Sequence, residues 1–365
     1  MKFRCERDVL ADALAAAGRA ATGRTGALPV LSGVRVALTG DTLTVTGTDL
    51  ELTIHTTLDV AGEGDGVIVL PARLTADIVR SLDSGAVEVE AVGHDDVKIS
   101  AGRSNFSVRP LAPEDYPKLP EPAANAVTLP AAQLSEALKQ VVRAASSDES
   151  RPILTGVLLA AEAGGLRLVA TDSYRLAVRD LAGVSVLGTD QKVLVPSRAL
   201  NELTRMLPAT GDVTLRLGER DATFEAGGTR LTTRLIEGEF PNYRQLIPNS
   251  HPNRLTVARE PLLDAIRRVK LLARDATPIR LQMTSDGLSL SAVTQDIGQA
   301  SETLDASYNG ADMTVAFNPE YLAQGVDAIG GDEVAIDTLD ALKPAVVRPA
   351  NDQDYLYLLM PVRVP

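Results

Sequence analysis

Leu28-Pro29-Val30-Leu31-Ser32-Gly33-Val34 recurs as Arg151-Pro152-Ile153-Leu154-Thr155-Gly156-Val157 and, more weakly, from Thr277-Pro278-Ile279. A period of roughly 124 residues makes internal repetition the first property of the chain. Behind each copy runs a period-two alternation broken by a turn: Val34, Val36, Leu38, then Gly40-Asp41, then Leu43 and Val45. The third copy reads Ile279, Leu281, Met283, then Asp286-Gly287, then Leu288 and Leu290. Alternation across a glycine-containing turn predicts a β-hairpin in each copy.

Two further landmarks share the period. Upstream of each hairpin, Leu10 and Leu14, Leu134 and Leu138, and Leu262 and Ile266 have the i, i+4 spacing of one helical face. Pro130 and Pro261 suit the first turn of such a helix, where a missing N–H costs nothing. Downstream, a strand enters a second helix through proline at Val69-Leu70-Pro71, Leu194-Val195-Pro196 and Phe317-Asn318-Pro319. Leu74, Ile78 and Leu82 then continue at helical spacing, as do Leu322 and Val326. Proline-bearing stretches at 119–125 and 247–253 read as linkers. The expectation is an α+β chain of three modules, 1–120, 126–249 and 253–365, each with two helices on antiparallel sheet. Their open edge strands invite pairing between neighbouring modules.

A chain of 365 residues with 45% hydrophobic residues has material for two or three domains. Its longest apolar runs, such as Val157 to Ala161, fall short of the roughly 18 residues a membrane helix needs. Met1-Lys2-Phe3-Arg4 has no signal-like apolar core, which points to the cytoplasm. Cys5 is alone and reads as a buried bystander; His55, His94 and His251 are scattered, so no metal site is expected. There is no phosphate loop of the Gly-x-x-x-x-Gly-Lys-Ser/Thr type. Asp95-Asp96, and Asp352 with Asp354, sit where turns favour aspartate. No base, nucleophile or metal set converges, so neither catalysis nor a cofactor is expected.

The net charge of −12 argues against tight general affinity for DNA, which comes from cations that displace phosphate counterions. The basic residues nevertheless gather on the helices: Arg73 and Arg80, Lys139 and Arg143, Arg198 and Arg205, then Arg259, Arg267, Arg268, Lys270 and Arg274. Acid collects on strands and turns, as at Glu88, Glu90, Asp332 and Glu333. Helices facing one way and sheets the other would give a basic lining within an acidic exterior.

The triplicated module resembles the bacterial DNA polymerase III β subunits, the sliding clamps, over essentially the whole chain. Ala170-Thr171-Asp172-Ser173-Tyr174-Arg175-Leu176-Ala177, Glu239-Phe240-Pro241-Asn242-Tyr243-Arg244 and Leu358-Leu359-Met360-Pro361-Val362-Arg363 carry that resemblance. It implies a head-to-tail homodimer whose ring encircles duplex DNA. The partners it implies are the replicative polymerase catalytic subunit, the clamp loader and repair polymerases. The chain departs from the family's pattern at Tyr174, where many relatives have His, at Gln245, and in the two residues Val364-Pro365 past the terminal arginine. A duplicated clamp serving antibiotic tolerance shares the same pattern. A structural array of three β-rich domains would also account for the repeat, but it predicts an export signal and gives no reason for arginine-bearing helices.

The resemblance marks a peptide pocket made of Leu154, Thr171, Ser173, Tyr174, Arg175, Leu176, Pro241, Leu246, Asn318, Tyr321, Pro344, Leu358, Met360, Pro361, Val362 and Arg363. DNA contacts are expected from Arg24, Arg73, Arg103, Arg198 and Arg205, with Arg24, Arg73 and Arg103 at basic family positions. Leu271 and Leu272, flanked by Lys270 and Arg274, are the candidates for an apolar dimer seam.

Overall fold

A computed structural model of the chain describes residues 1–21, 28–93, 95–162, 164–273 and 277–363. Arg24, His94, Arg274 and Val364-Pro365 lie outside the described residues. Six helices occur among the described residues: α1 (Arg7–Ala20), α2 (Ala72–Ser81), α3 (Ala131–Val141), α4 (Ser197–Met206), α5 (Arg259–Lys270) and α6 (Pro319–Asp327). None is long and apolar enough to cross a membrane. The i, i+4 pairs of α1, α3 and α5 are buried as their spacing requires: Leu10 and Leu14, Leu134 and Leu138, Leu262 and Ile266.

In α2 the buried face is Ala72, Thr75 and Val79, followed by Leu82, whereas Leu74 is exposed. Of the sequence stripe, Ile78 packs against the core and Leu82 is buried, so Leu74 alone faces out. Small Ala72 and Thr75 carry the close-packed side, which a search for large apolar residues passes over. Helix α6 begins as its Asn-Pro pair requires: the Asn318 side chain accepts N–H bonds from Glu320 and Tyr321 at 2.9 and 3.1 Å, and Pro319 occupies the first turn.

The recurring Pro-containing motif does not begin as strand. Pro29–Ser32 and Pro152–Thr155 are single 3-10 turns, and the strands follow from Gly33 and Gly156. Proline fixes φ at the turn's start, and the Ser32 and Thr155 hydroxyls close it by donating to the Pro29 and Pro152 carbonyls, each at 2.7 Å.

The chain divides into two compact units, residues 1–132 with 198–235, and residues 133–197 with 236–365. The first unit holds a five-stranded and an eight-stranded antiparallel sheet. In the larger sheet, strand Leu52–Asp59 pairs with Thr229–Arg234, so Ile54 lies opposite Leu231. The second unit holds a four-stranded and a nine-stranded sheet; in the latter, Arg175–Ala182 pairs with Tyr355–Leu359. Pairing of this kind closes the open edges expected from the sequence. Phe3, Cys5, Leu10, Leu14, Val36, Leu43, Val45, Val79, Val87 and Ile99 form the main core of the first unit, which leaves Cys5 as a buried, inert thiol.

His55 lies on the paired strand of the first unit, opposite Arg230, with its Nδ1 2.9 Å from Thr46 Oγ1. Burial, then Arg230 and Arg35, pushes its pKa down to about 4. The folded value lies below the unfolded one, so the stability owed to neutral His55 is complete above the ordinary value of 6.5 and is lost as pH falls toward 4. Urea midpoints taken across that window should fall by the equivalent of about 1–2 kcal/mol, after allowance for partial exposure. In His55→Gln that component should vanish, and an unchanged pH profile in the variant would rule it out.

Candidate functional site

Two turns, one in each unit, share a local design. Thr48-Asp49-Leu50 and Thr171-Asp172-Ser173 each place their third residue at positive φ, 76° for Leu50 and 83° for Ser173. In each, the aspartate Oδ1 accepts two backbone N–H bonds: Glu51 and Leu52 at 3.1 and 2.8 Å, Tyr174 and Arg175 at 2.9 and 3.0 Å. The threonine hydroxyl then donates across the turn, Thr48 to the Leu52 carbonyl at 3.2 Å and Thr171 to that of Arg175 at 2.6 Å. Aspartate makes such turns because its short carboxylate reaches the backbone two residues on.

The free oxygens of the two aspartates are used differently. Asp49 Oδ2 takes Arg198 at 2.5 Å. Asp172 Oδ2 takes Arg175 at 3.0 Å, with both side chains below a tenth exposed. Arg175 also donates to Gln324 at 2.5 Å and lies 4.2 Å over the Tyr321 ring at the start of α6. One buried guanidinium therefore locks the 171–176 turn to α6, and Tyr357, whose hydroxyl donates to the Tyr321 carbonyl at 2.9 Å, fixes α6 to the sheet.

The C-terminal segment closes on the same turn. Met360 N–H donates to the Tyr174 carbonyl at 2.9 Å, and Val362 N–H donates to that of Ala316 at 2.8 Å. Beneath them Leu176, Leu358 and Val346 stand in register on three adjacent strands. All three are buried in a cluster that also takes in Tyr243, with Phe240, Ile247 and Ile153 packed against it. Above this floor Tyr174 is 60% exposed, and Leu246 and Met360 are exposed large apolar groups.

The expected pocket residues thus divide. Thr171, Arg175, Leu176 and Leu358 are buried framework. Tyr174, Pro241, Leu246 and Met360 are exposed, with Leu154, Tyr321, Pro344, Pro361 and Val362 half-buried beside them. The Ser173 hydroxyl accepts a bond from the Arg151 side chain at 3.1 Å, and the Asn318 side chain caps α6 by accepting the Glu320 N–H. Sequence reasoning omitted Asp172, Gln324, Tyr357 and Val346. Only Asp172 had a local signal, its Asx-turn position; Tyr357 and Val346 reach the site through sheet register, and Gln324 through the packing of α6.

The expected DNA-contacting side chains are unequal. The Arg73 side chain is 98% exposed, with Asp77 at the loose distance of 4.0 Å. Arg103, in a hairpin turn, is exposed. Arg205 shares Glu202 with Arg19, at 2.8 and 2.5 Å. Arg198 is half-buried and held by Asp49. On α5, Arg267 pairs with Asp264, Arg268 with Glu302 and Lys270 with Glu320, so much of that helix's charge is neutralised in place. Leu271, just past α5, is 74% exposed, and Leu272 is half-buried.

Models of the DNA polymerase III β subunit match the chain in order and almost end to end: the N-terminal domain over 1–120, the central domain over 128–242 and the C-terminal domain over 244–363. The chain belongs to that family, the β sliding clamps. The Streptomyces coelicolor β sliding clamp is 35% identical and that of Synechococcus elongatus 33%, each match covering both chains completely. The Bacillus subtilis sliding clamp has the same fold, with a TM-score of 0.92 at 29% identity over all of both chains. A Pseudomonas aeruginosa clamp bound to griselimycin gives 0.91 at 29%, again over both chains in full. Like its family, this clamp is a non-catalytic processivity subunit of the replicative polymerase. Among its described residues no group of three or more His, Cys, Asp and Glu could hold a metal ion.

Proposed function

We propose that this clamp works as a ring that encircles duplex DNA and tethers the polymerase and other replication and repair proteins through the surface at Tyr174, Leu246 and Met360. The observation that carries the tethering reading is that the large apolar side chains Tyr174, Leu246 and Met360 stay exposed beside a buried cluster that includes Leu176, Leu358 and Val346. Adaptable Met360 suits several ligand shapes, and Pro361 restrains the chain that presents it. A linear motif inserting two large apolar side chains gains about 3–6 kcal/mol gross before association costs, so isolated peptides bind weakly and exchange readily.

The three modules, 1–120, 126–249 and 253–365, close the ring as a head-to-tail homodimer, for which exposed Leu271 offers an apolar seam and Leu272 its flank. Such an interface needs at least about 1,000 Å² buried. Sliding requires exchangeable phosphate contacts, for which Arg73, Arg103 and Arg205 are well suited. Arg198, already paired with Asp49, contributes less, and Arg24 completes the set from outside the described residues. The loader supplies ATP hydrolysis, and the clamp acts in the cytoplasm. The test is retention on nicked circular DNA. Clamp loaded by its loader should stay on the circle through a high-salt wash and leave when the circle is linearised. Equal loss from both forms would sink the ring reading.

A further inference from the structure

A groove of about 510 Å³ lies on the far side of the C-terminal segment, lined by Arg280, Thr314, Ala316, Leu342, Val362 and Arg363. Its floor follows from register. Arg280 lies opposite Ala316 in the four-stranded sheet, and Thr314 shares that face two residues along the outer strand. The chain end lies along this outer strand, held by the Val362 to Ala316 bond. Leu342 is 68% exposed.

The charge state of this groove sets it apart within its unit. Every other arginine among the described residues of the unit has a carboxylate partner: Arg143 with Asp327, Arg167 with Asp180 and Arg348 with Asp337 are examples. Arg280 and Arg363 have none among the described residues, although the whole chain carries a net charge of −12. Asp340, two residues before Leu342, forms no ion pair with either arginine among the described residues; its Oδ1 accepts the backbone N–H groups of Leu342 and Lys343 at 2.8 and 3.0 Å. In so acidic a protein, two guanidiniums without a carboxylate partner, in one groove that Ala316, Leu342 and Val362 also line, suit an anion that also carries apolar surface.

We propose that this groove binds an acidic segment of a partner protein, adjoining the apolar motif held at Tyr174 and Met360. The inference rests on that motif reading, because Val362 and Arg363 belong to both surfaces. Carboxylates pair with Arg280 and Arg363 by bidentate charge-assisted bonds, while an apolar side chain covers Leu342. The apolar share of the lining favours peptide over the sugar-phosphate backbone of a nucleic acid.

The test uses the full-length clamp and two fluorescent peptides with the same pair of large apolar anchors, one flanked by aspartates and the other by asparagines. The wild-type clamp should prefer the acidic peptide by about threefold to tenfold, the range of one or two partly exposed ion pairs, and lose the preference in high salt. Arg280→Gln should remove the preference while leaving the asparagine peptide's affinity unchanged. Equal affinities in the wild type, or equal loss of both peptides in the variant, overturns the proposal. If neither peptide binds the wild type, the motif reading fails. The groove is then judged by the Arg280 Nε–H signal under titration with an anchor-free aspartate peptide: a shift supports it and no shift overturns it. A short single-stranded oligonucleotide that displaces that aspartate peptide, in an Arg280-dependent way, reassigns the groove to phosphate and overturns the peptide assignment.

Discussion

Removal of residues 360–365 is expected to abolish binding of a short peptide with two large apolar side chains, a loss of at least about a hundredfold. Met360, Pro361 and Val362 supply one wall of the proposed peptide surface. Forfeiting contacts with two such groups costs about 3 kcal/mol at the lower bound of 1.5 kcal/mol each. The fold should survive, because Leu358 and Leu359 remain in the strand Tyr355–Leu359, paired on both sides. What the truncation removes from the framework is the pair of backbone bonds from Met360 to Tyr174 and Val362 to Ala316, worth about 1 kcal/mol each. Fluorescence anisotropy read beside thermal unfolding separates the two effects. Undiminished affinity in a folded, truncated chain would refute the site.

Arg175→Ala should destabilise the second unit by about 3–5 kcal/mol, because it strands the Asp172 carboxylate in a place where both side chains are below a tenth exposed. The same change frees Gln324 and the Tyr321 ring, so α6 loses its tie to the 171–176 turn. Combining it with Asp172→Asn should recover part of the loss. The asparagine keeps an oxygen for the Tyr174 and Arg175 N–H bonds but buries no charge. Urea unfolding of the wild type and the two variants measures this directly. A single-variant loss below about 1 kcal/mol would show that Arg175 is not the lock.

The contrast with the first unit lies in how two like turns are tied down. Asp49 and Asp172 hold the same backbone bonds, but Asp49 spends its second oxygen on Arg198. Asp172 spends it on the residue three places ahead in its own turn, and that residue reaches Tyr321. The turn itself is legible, since it needs only a threonine, an aspartate and the next residues. Which arginine answers it is settled by chain segments far away in sequence.

Sequence alone determined the repeat, the hairpins, the buried pairs of α1, α3 and α5, and the proline entries to α2, α4 and α6. Periodicity, proline and turn aspartates act over a few residues, so these features can be read locally. Only the tertiary structure decided that Leu74 faces out, that Leu176 and Leu358 are buried, and that Arg198 is committed to Asp49. It alone brought Arg175 to Gln324 across 149 residues of chain, and Arg280 to Arg363 around one groove. Sheet register and ion-pair choice set those meetings. Both depend on which distant strand lies alongside, a quantity that no local spacing encodes.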